Sequence, residues 1–220
     1  MKVVLFGGSG MIGQAVLREC LLDPEIESIV SVVRKASGAQ QGKLREVVHA
    51  DFFNFSPIES ELAADTCFFT LGATSSGLSE AEYRRITLDI TLAAAKSLLR
   101  ANPSIVMVFV SGAGTDSSER GRVMWARVKG AAENALLAMP FKAAYMFRPG
   151  VIQPMHGIRS RTASYRFFYA LARPIMPLLR ALLPKYVTTT ERLARAMILA
   201  AKQGAPKRVL ESADINEIAQ

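Results

Sequence analysis

Three glycines, Gly7, Gly10 and Gly13, stand at three-residue intervals behind the apolar run Val3–Phe6 and ahead of a stretch with helical apolar spacing. That order predicts a buried strand, a turn too tight for side chains and an immediate helix start. A helix start presents unpaired N–H groups and a partial positive charge, so a pyrophosphate can rest on it without a charged side chain. Glycine meets the backbone angles of the turn, and farther on it lets backbone approach the ligand and the helix approach its strand. These residues predict a nucleotide cradle.

The next apolar run, Ile29–Val33, ends in Arg34-Lys35 with no acid nearby. A site that prefers NAD places an acid about 20 residues past the glycines, where it accepts from the ribose 2′-hydroxyl. A guanidinium and an ammonium suit a 2′-phosphate instead. The pair predicts a preference for NADP(H), with NAD less favoured; two solvated loop cations are the alternative reading.

Positioning such a site takes a layered α/β scaffold. Strand-like runs recur at Val3–Phe6, Ile29–Val33, Val47–His49, Cys67–Leu71, Ile105–Val110, Ala144–Phe147 and Val209–Leu210. Most are continuous rather than alternating, as in parallel strands covered on both faces. Helical stretches fall between them: Met11–Leu22, closed by Asp23-Pro24; one opened by Ser56-Pro57-Ile58-Glu59; one opened by Ser79 and running to about Arg100; Val123–Ala138; and Thr190–Lys202. Ser56 with Glu59 and Ser79 with Glu82 both have capping-box spacing. The alternation predicts one α/β domain over 1–220, a Rossmann-type doubly wound parallel sheet of about seven strands with a small C-terminal helical lid.

Residues 153–187 are the expected lid and substrate subregion. Within them Tyr165–Leu183 is apolar with arginines at 166, 173 and 180, and Pro174 and Pro177 forbid one straight helix. A flap over the cleft is the preferred reading; an oligomer contact and peripheral contact with a membrane surface remain open.

With 220 residues the chain can bury one sizeable core. Cys20 and Cys67 are far apart in apolar surroundings, which argues against a disulfide framework, and two histidines make a zinc site improbable. With no leader read after Met1-Lys2, the expected compartment is the cytoplasm. The net charge of +8 is concentrated in residues 151–200, where eight basic residues face Glu191 alone. An anionic ligand, an anionic membrane or nucleic acid could use that field, or it is a solvated face; nucleic acid is not favoured.

Further motifs follow at the strand ends: Asp51-Phe52, Leu71-Gly72-Ala73-Thr74, Ser111-Gly112-Ala113-Gly114, then Lys129 and Arg148-Pro149-Gly150-Val151. With the glycines, and across nearly the whole chain, this ordered set resembles the short-chain dehydrogenase/reductase superfamily. The likeness is to its atypical branch, NmrA-like and nucleoside-diphosphate-sugar epimerase-like. The resemblance implies that Ser9, Gly10, Met11 and Ile12 wrap the pyrophosphate and that Asp51 and Phe52 border the adenine. It implies that Leu71 to Thr74 line the adenosine side, that Lys129 holds the nicotinamide ribose, and that Pro149, Gly150, Val151 and Ile152 back the nicotinamide. Read without it, Asp51 is a strand-end turn residue and Lys129 pairs with Glu133 one turn on.

The same resemblance implies a catalytic serine, tyrosine and lysine, the tyrosine four residues before the lysine. Ser111 and Lys129 fill two places, but Trp125 stands at the third. An indole N–H donates a hydrogen bond and keeps its proton at neutral pH. Three readings follow: an NADP(H)-binding sensor of NmrA-like type without turnover; an oxidoreductase or epimerase-like enzyme using another donor, such as Tyr83, Tyr165, Tyr169 or water; or a stacking platform for an aromatic ligand. A core tryptophan is the plainest alternative. Substrate and oligomeric state are not legible.

Overall fold

The computed structural model describes residues 1–38, 42–158, 183 and 185–220. Seven parallel strands form the central sheet: β1 (Lys2–Phe6), β2 (Ser28–Val33), β3 (Leu44–Val48), β4 (Thr66–Phe69), β5 (Val106–Val110), β6 (Ala143–Arg148) and β9 (Val209–Glu211), in the order β3-β2-β1-β4-β5-β6-β9. Two short strands, β7 (Val151–Gln153) and β8 (Val187–Thr189), pair parallel beside it. Among the described residues the α-helices are α1 (Met11–Leu22), α2 (Glu80–Arg84), α3 (Ile90–Ala101), α4 (Met124–Ala138), α5 (Thr190–Gln203) and α6 (Ser212–Ile218). A Rossmann-type α/β fold results, as the run spacing predicts.

Both faces of the sheet are covered, which is why β1 reads as an unbroken apolar run. Val4 and Phe6 pack with Leu98 of α3 and Leu136 of α4, while Val3 and Leu5 pack with Val16 of α1 and Met197 of α5. Phe6, Phe69 and Phe109 carry one face across three strands, with ring centroids 5.2 and 5.9 Å apart. The strand order reverses between β1 and β4, and a crevice at such a point is where a doubly wound sheet takes its ligand.

Of the two capping boxes read from the sequence, one forms and one does not. Ser79 and Glu82 do form the reciprocal box that opens α2, which runs through one π-helical turn (Arg85–Asp89) into α3. Ser56 and Glu59 form none, and residues 56–62 make a 3₁₀ helix. Arg100 takes the Glu59 carboxylate instead, with Nε at 2.8 Å. The arginine-rich stretch 165–182, on which the flap, oligomer and membrane readings rest, lies outside the described residues. Among the described residues no helix is long and apolar enough to cross a membrane.

Candidate functional site

The glycine turn is set by contacts that leave no room for a methyl group. Gly7 has φ +84°, and a Cβ there would lie 2.7 Å from the Leu71 nitrogen at the end of β4. A Cβ on Gly13 would lie 2.1 Å from the Gly7 carbonyl oxygen. The Gly10 N–H donates to that same carbonyl at 2.9 Å and closes the turn. Gly10 then caps α1 without a side-chain hydrogen bond, and no acid stands in the first turn. α2, α5 and α6 each carry an acid in the first turn and receive side-chain capping. Helix α1 therefore opens on the crevice with its partial positive charge uncompensated.

Around this turn the other predicted positions fall into place by strand end. Arg34 and Lys35 are exposed immediately after β2. Asp51 is exposed after β3; its Oδ1 accepts from the Phe53 N–H at 2.9 Å, so it does act as a turn residue. Phe52 and Phe55 turn inward against each other, centroids 5.6 Å apart and edge-on, and pin the loop that carries Asp51. Leu71 is half-buried, whereas Gly72, Ala73 and Thr74 are exposed. A Cβ on Gly72 would meet nothing within 4 Å, so space is open beside the cradle.

On the far side of the crevice the geometry is made by side chains. Trp125 and Lys129 lie one turn apart on α4. The indole lies against Gly114, where a Cβ would be 3.5 Å from its ring. Lys129 Nζ donates to the Ser111 carbonyl at the end of β5. Burial pulls the Lys129 ammonium below the usual lysine range, with Glu133 opposing the shift. Loops after β5 and β6 are tied together, Ala113 N–H to Pro149 carbonyl at 2.9 Å. Gly150, Val151 and Ile152 follow: the Gly150 N–H donates to Ser212 Oγ at 2.8 Å and the Val151 N–H to the Tyr186 carbonyl at 2.9 Å.

Ser111 differs most from its expected posture. Its hydroxyl is 5% exposed and bonds to the Glu133 carboxylate, with the Phe147 carbonyl 3.2 Å away. Glu133 is wholly buried, and Arg148 Nε reaches its two oxygens at 3.0 and 3.2 Å. Arg148 also donates to Ser117 Oγ at 2.5 Å and lies 3.5 Å from Glu211. The expected Lys129–Glu133 pairing is thus replaced, because β6 delivers a guanidinium to the same carboxylate. Spacing along one helix could not reveal this. A glycine inside α4 was the available signal: a Cβ on Gly130 would lie 1.8 Å from the Asp116 carbonyl oxygen, so the 111–123 loop presses on the helix there. Of the alternative donors, Tyr83 is 2% exposed and burial raises its phenol. Tyr165 and Tyr169 lie outside the described residues.

A separate hollow of about 560 Å³ opens at the other end of the sheet, lined by Met1, Asp65, Lys142 and Lys202 among others. Several of its charges are already used: the Met1 amine pairs with Glu27, and Lys202 with Asp23 and Glu25. The crevice at the C-terminal strand ends is the better candidate on chemistry.

No family model matches the chain. It is 26% identical to "Protein FMP52, mitochondrial" of Meyerozyma guilliermondii over 100% of this chain and 96% of that protein. It is 30% identical to "Protein fmp52, mitochondrial" of Emericella nidulans over 69% of this chain and 66% of that one. Among solved structures, a thiolation-reductase di-domain from an archaeal non-ribosomal peptide synthetase superposes with TM-score 0.69 at 15% identity, over 96% of this chain and 70% of that chain. MoeE5 in complex with UDP-glucose and NAD gives TM-score 0.69 at 19% identity over 96% and 75%. UDP-glucuronic acid 4-epimerase from Bacillus cereus in complex with NAD gives 0.67 at 11% over 96% and 76%. At such identities the likeness is one of fold. The mitochondrial names of the fungal relatives overturn the cytoplasmic expectation. Cys20 and Cys67 are buried and unpaired, and burial pushes the Cys20 thiol up to about 12. Reduced buried thiols fit any reducing compartment, so they could not single out the cytoplasm. What the chain resembles, by fold, is the Rossmann-type α/β proteins among these solved structures.

Proposed function

We propose that the chain binds a nicotinamide dinucleotide across the C-terminal ends of β1 and β4, and prefers the 2′-phosphorylated form. The observation that carries this is the turn at Gly7, Gly10 and Gly13, where a Cβ on Gly13 would lie 2.1 Å from the Gly7 carbonyl, opening onto a helix start without acid or side-chain cap. In this reading Ser9, Gly10, Met11 and Ile12 meet the pyrophosphate, and Asp51 and Phe52 border the adenine. Leu71, Gly72, Ala73 and Thr74 line the adenosine side, Lys129 holds the nicotinamide ribose, and Pro149 to Ile152 back the nicotinamide. Arg34 and Lys35 face the 2′-phosphate, since no acid follows β2 to accept from a free hydroxyl. The NAD bound by MoeE5 and by the Bacillus cereus epimerase supports the cofactor class and leaves the 2′-phosphate preference to Arg34 and Lys35.

The chemistry assigned is that of an atypical short-chain reductase or epimerase-like enzyme acting on a small carbonyl compound, with 1–220 as one domain and 153–187 contributing to the substrate side. A non-catalytic NADP(H) sensor is the competing reading, favoured by Trp125 at the donor position and by the Ser111 hydroxyl bonded to Glu133. Incubation of pure protein with NADPH and a carbonyl panel separates them: sustained oxidation of NADPH supports the enzyme, and tight binding without turnover supports the sensor. Trp125→Tyr is expected to raise turnover in either case, provided Lys129 keeps its place.

A further inference from the structure

We propose that Lys129 is itself the acid–base group of this cleft, donating the proton that a carbonyl oxygen needs on reduction, where Trp125 cannot. The inference rests on the nucleotide reading above. Its ground is the pairing around Glu133. A lysine one turn before a buried glutamate would ordinarily take it as counter-ion. Here Arg148 holds that carboxylate through Nε and Nη2, and the Ser111 hydroxyl takes a further lone pair. The ammonium of Lys129 is left to a neutral partner, the Ser111 carbonyl.

A buried cation held only by a neutral dipole gives up its proton more readily than one in water or in an ion pair. The direction found for Lys129 agrees, with burial the dominant cause. The charged group that acts on Lys129 is Glu133, which opposes the shift; Arg148 of β6, which holds Glu133, is itself engaged by Glu211 of β9. From its own helix come neutral Trp125 and the already paired Glu133. The Tyr83 phenol of α2 is buried, and burial holds it protonated.

The balance closes with the proposed cofactor. When bound, a reduced nicotinamide would supply the hydride that the carbonyl carbon accepts and would itself be oxidised. The C=O π bond breaks as the new C–H bond forms, an Nζ–H bond breaks, and that proton goes to oxygen to complete the alcohol. The neutral amine of Lys129 then recovers a proton from water at the mouth of the cleft.

Reductive methylation with ¹³C-formaldehyde gives each lysine an NMR signal that can be titrated, and the Lys129 signal is the one missing from Lys129→Arg. It is expected to titrate below the pooled surface lysines, and Arg148→Lys, which loosens the grip on Glu133, is expected to move it upward. Lys129→Arg keeps a cation for the ribose hydroxyls, but a guanidinium does not give up a proton near neutral pH; NADPH binding should persist while carbonyl reduction falls by about 10²–10⁴-fold. Titration of Lys129 with the surface lysines, or undiminished reduction by Lys129→Arg, overturns the proposal. A low-titrating Lys129 in a protein that binds no NADPH overturns the nucleotide reading, and the donor role with it.

Discussion

At the β1–β2 side of the cleft the shape comes from backbone, and at the β5–β6 side it comes from side chains. Gly7, Gly13 and the β4 end approach one another where no Cβ fits, so that half is broken by adding atoms. Glu133, Arg148, Ser111 and Lys129 join elements 15 to 36 residues apart through hydrogen bonds, so that half is broken by removing them. A backbone cradle recognises what every dinucleotide shares, whereas a side-chain network can be retuned, as Trp125 illustrates. Binding and chemistry can therefore diverge independently within one crevice.

The strongest way to break the second half is Glu133→Ala. It strands Arg148, whose side chain is 12% exposed, and is expected to lower unfolding free energy by about 3–5 kcal/mol in denaturant titration. A loss no larger than that of an exposed pair such as Arg45–Glu61 would contradict the role given to the network. Breaking the first half takes only a methyl group. Gly13→Ala is expected to cost about 1–3 kcal/mol and to abolish dinucleotide binding, because the turn must open to admit the Cβ. Gly72→Ala, with nothing within 4 Å, should leave stability unchanged and weaken binding alone. If both variants unfold alike, the distinction between a packed turn and an open ligand space is lost.

Smaller effects sharpen the comparison. Arg34→Ser is expected to lower NADPH affinity about tenfold while sparing NADH, which corresponds to about 1.4 kcal/mol at an exposed site. An equal loss for both nucleotides would move Arg34 away from the 2′-phosphate. The smallest effect is electrostatic. Because the folded Lys129 pKa lies below its unfolded value, the unfolded chain binds more protons between the two, and that difference makes stability rise with pH through the window. Cys20 acts oppositely above its unfolded value, since its thiol is held protonated in the fold. The check is therefore a difference: Lys129→Met should be relatively more stable at neutral pH, with an advantage over the parent that shrinks as pH approaches the unfolded lysine value.

Which parts were legible follows from the same division. The glycine turn was readable because glycine spacing states a backbone demand directly, and α1 has the bounds its apolar spacing predicts. Ser79 was readable as a cap for the same local reason. Ser56 was not, because Arg100, 41 residues away from Glu59, claims the carboxylate the box required. Glu133 misled in the same manner: helical spacing names Lys129 as its partner, and only the sheet order brings Arg148 of β6 to it. Strands as short as β7 and β8 lack a pattern of their own, and their pairing joins residues 36 apart in the chain. Sequence periodicity carries local partners well and leaves distant ones to the fold.

Calorimetric titration of the purified full chain with NADPH and, separately, with NADH tests dinucleotide binding at the Gly7–Gly13 turn. Saturable binding of both dinucleotides is expected, with NADPH the tighter. Tighter binding of NADH would contradict the assignment of Arg34 and Lys35, and no binding of either would contradict the cradle itself.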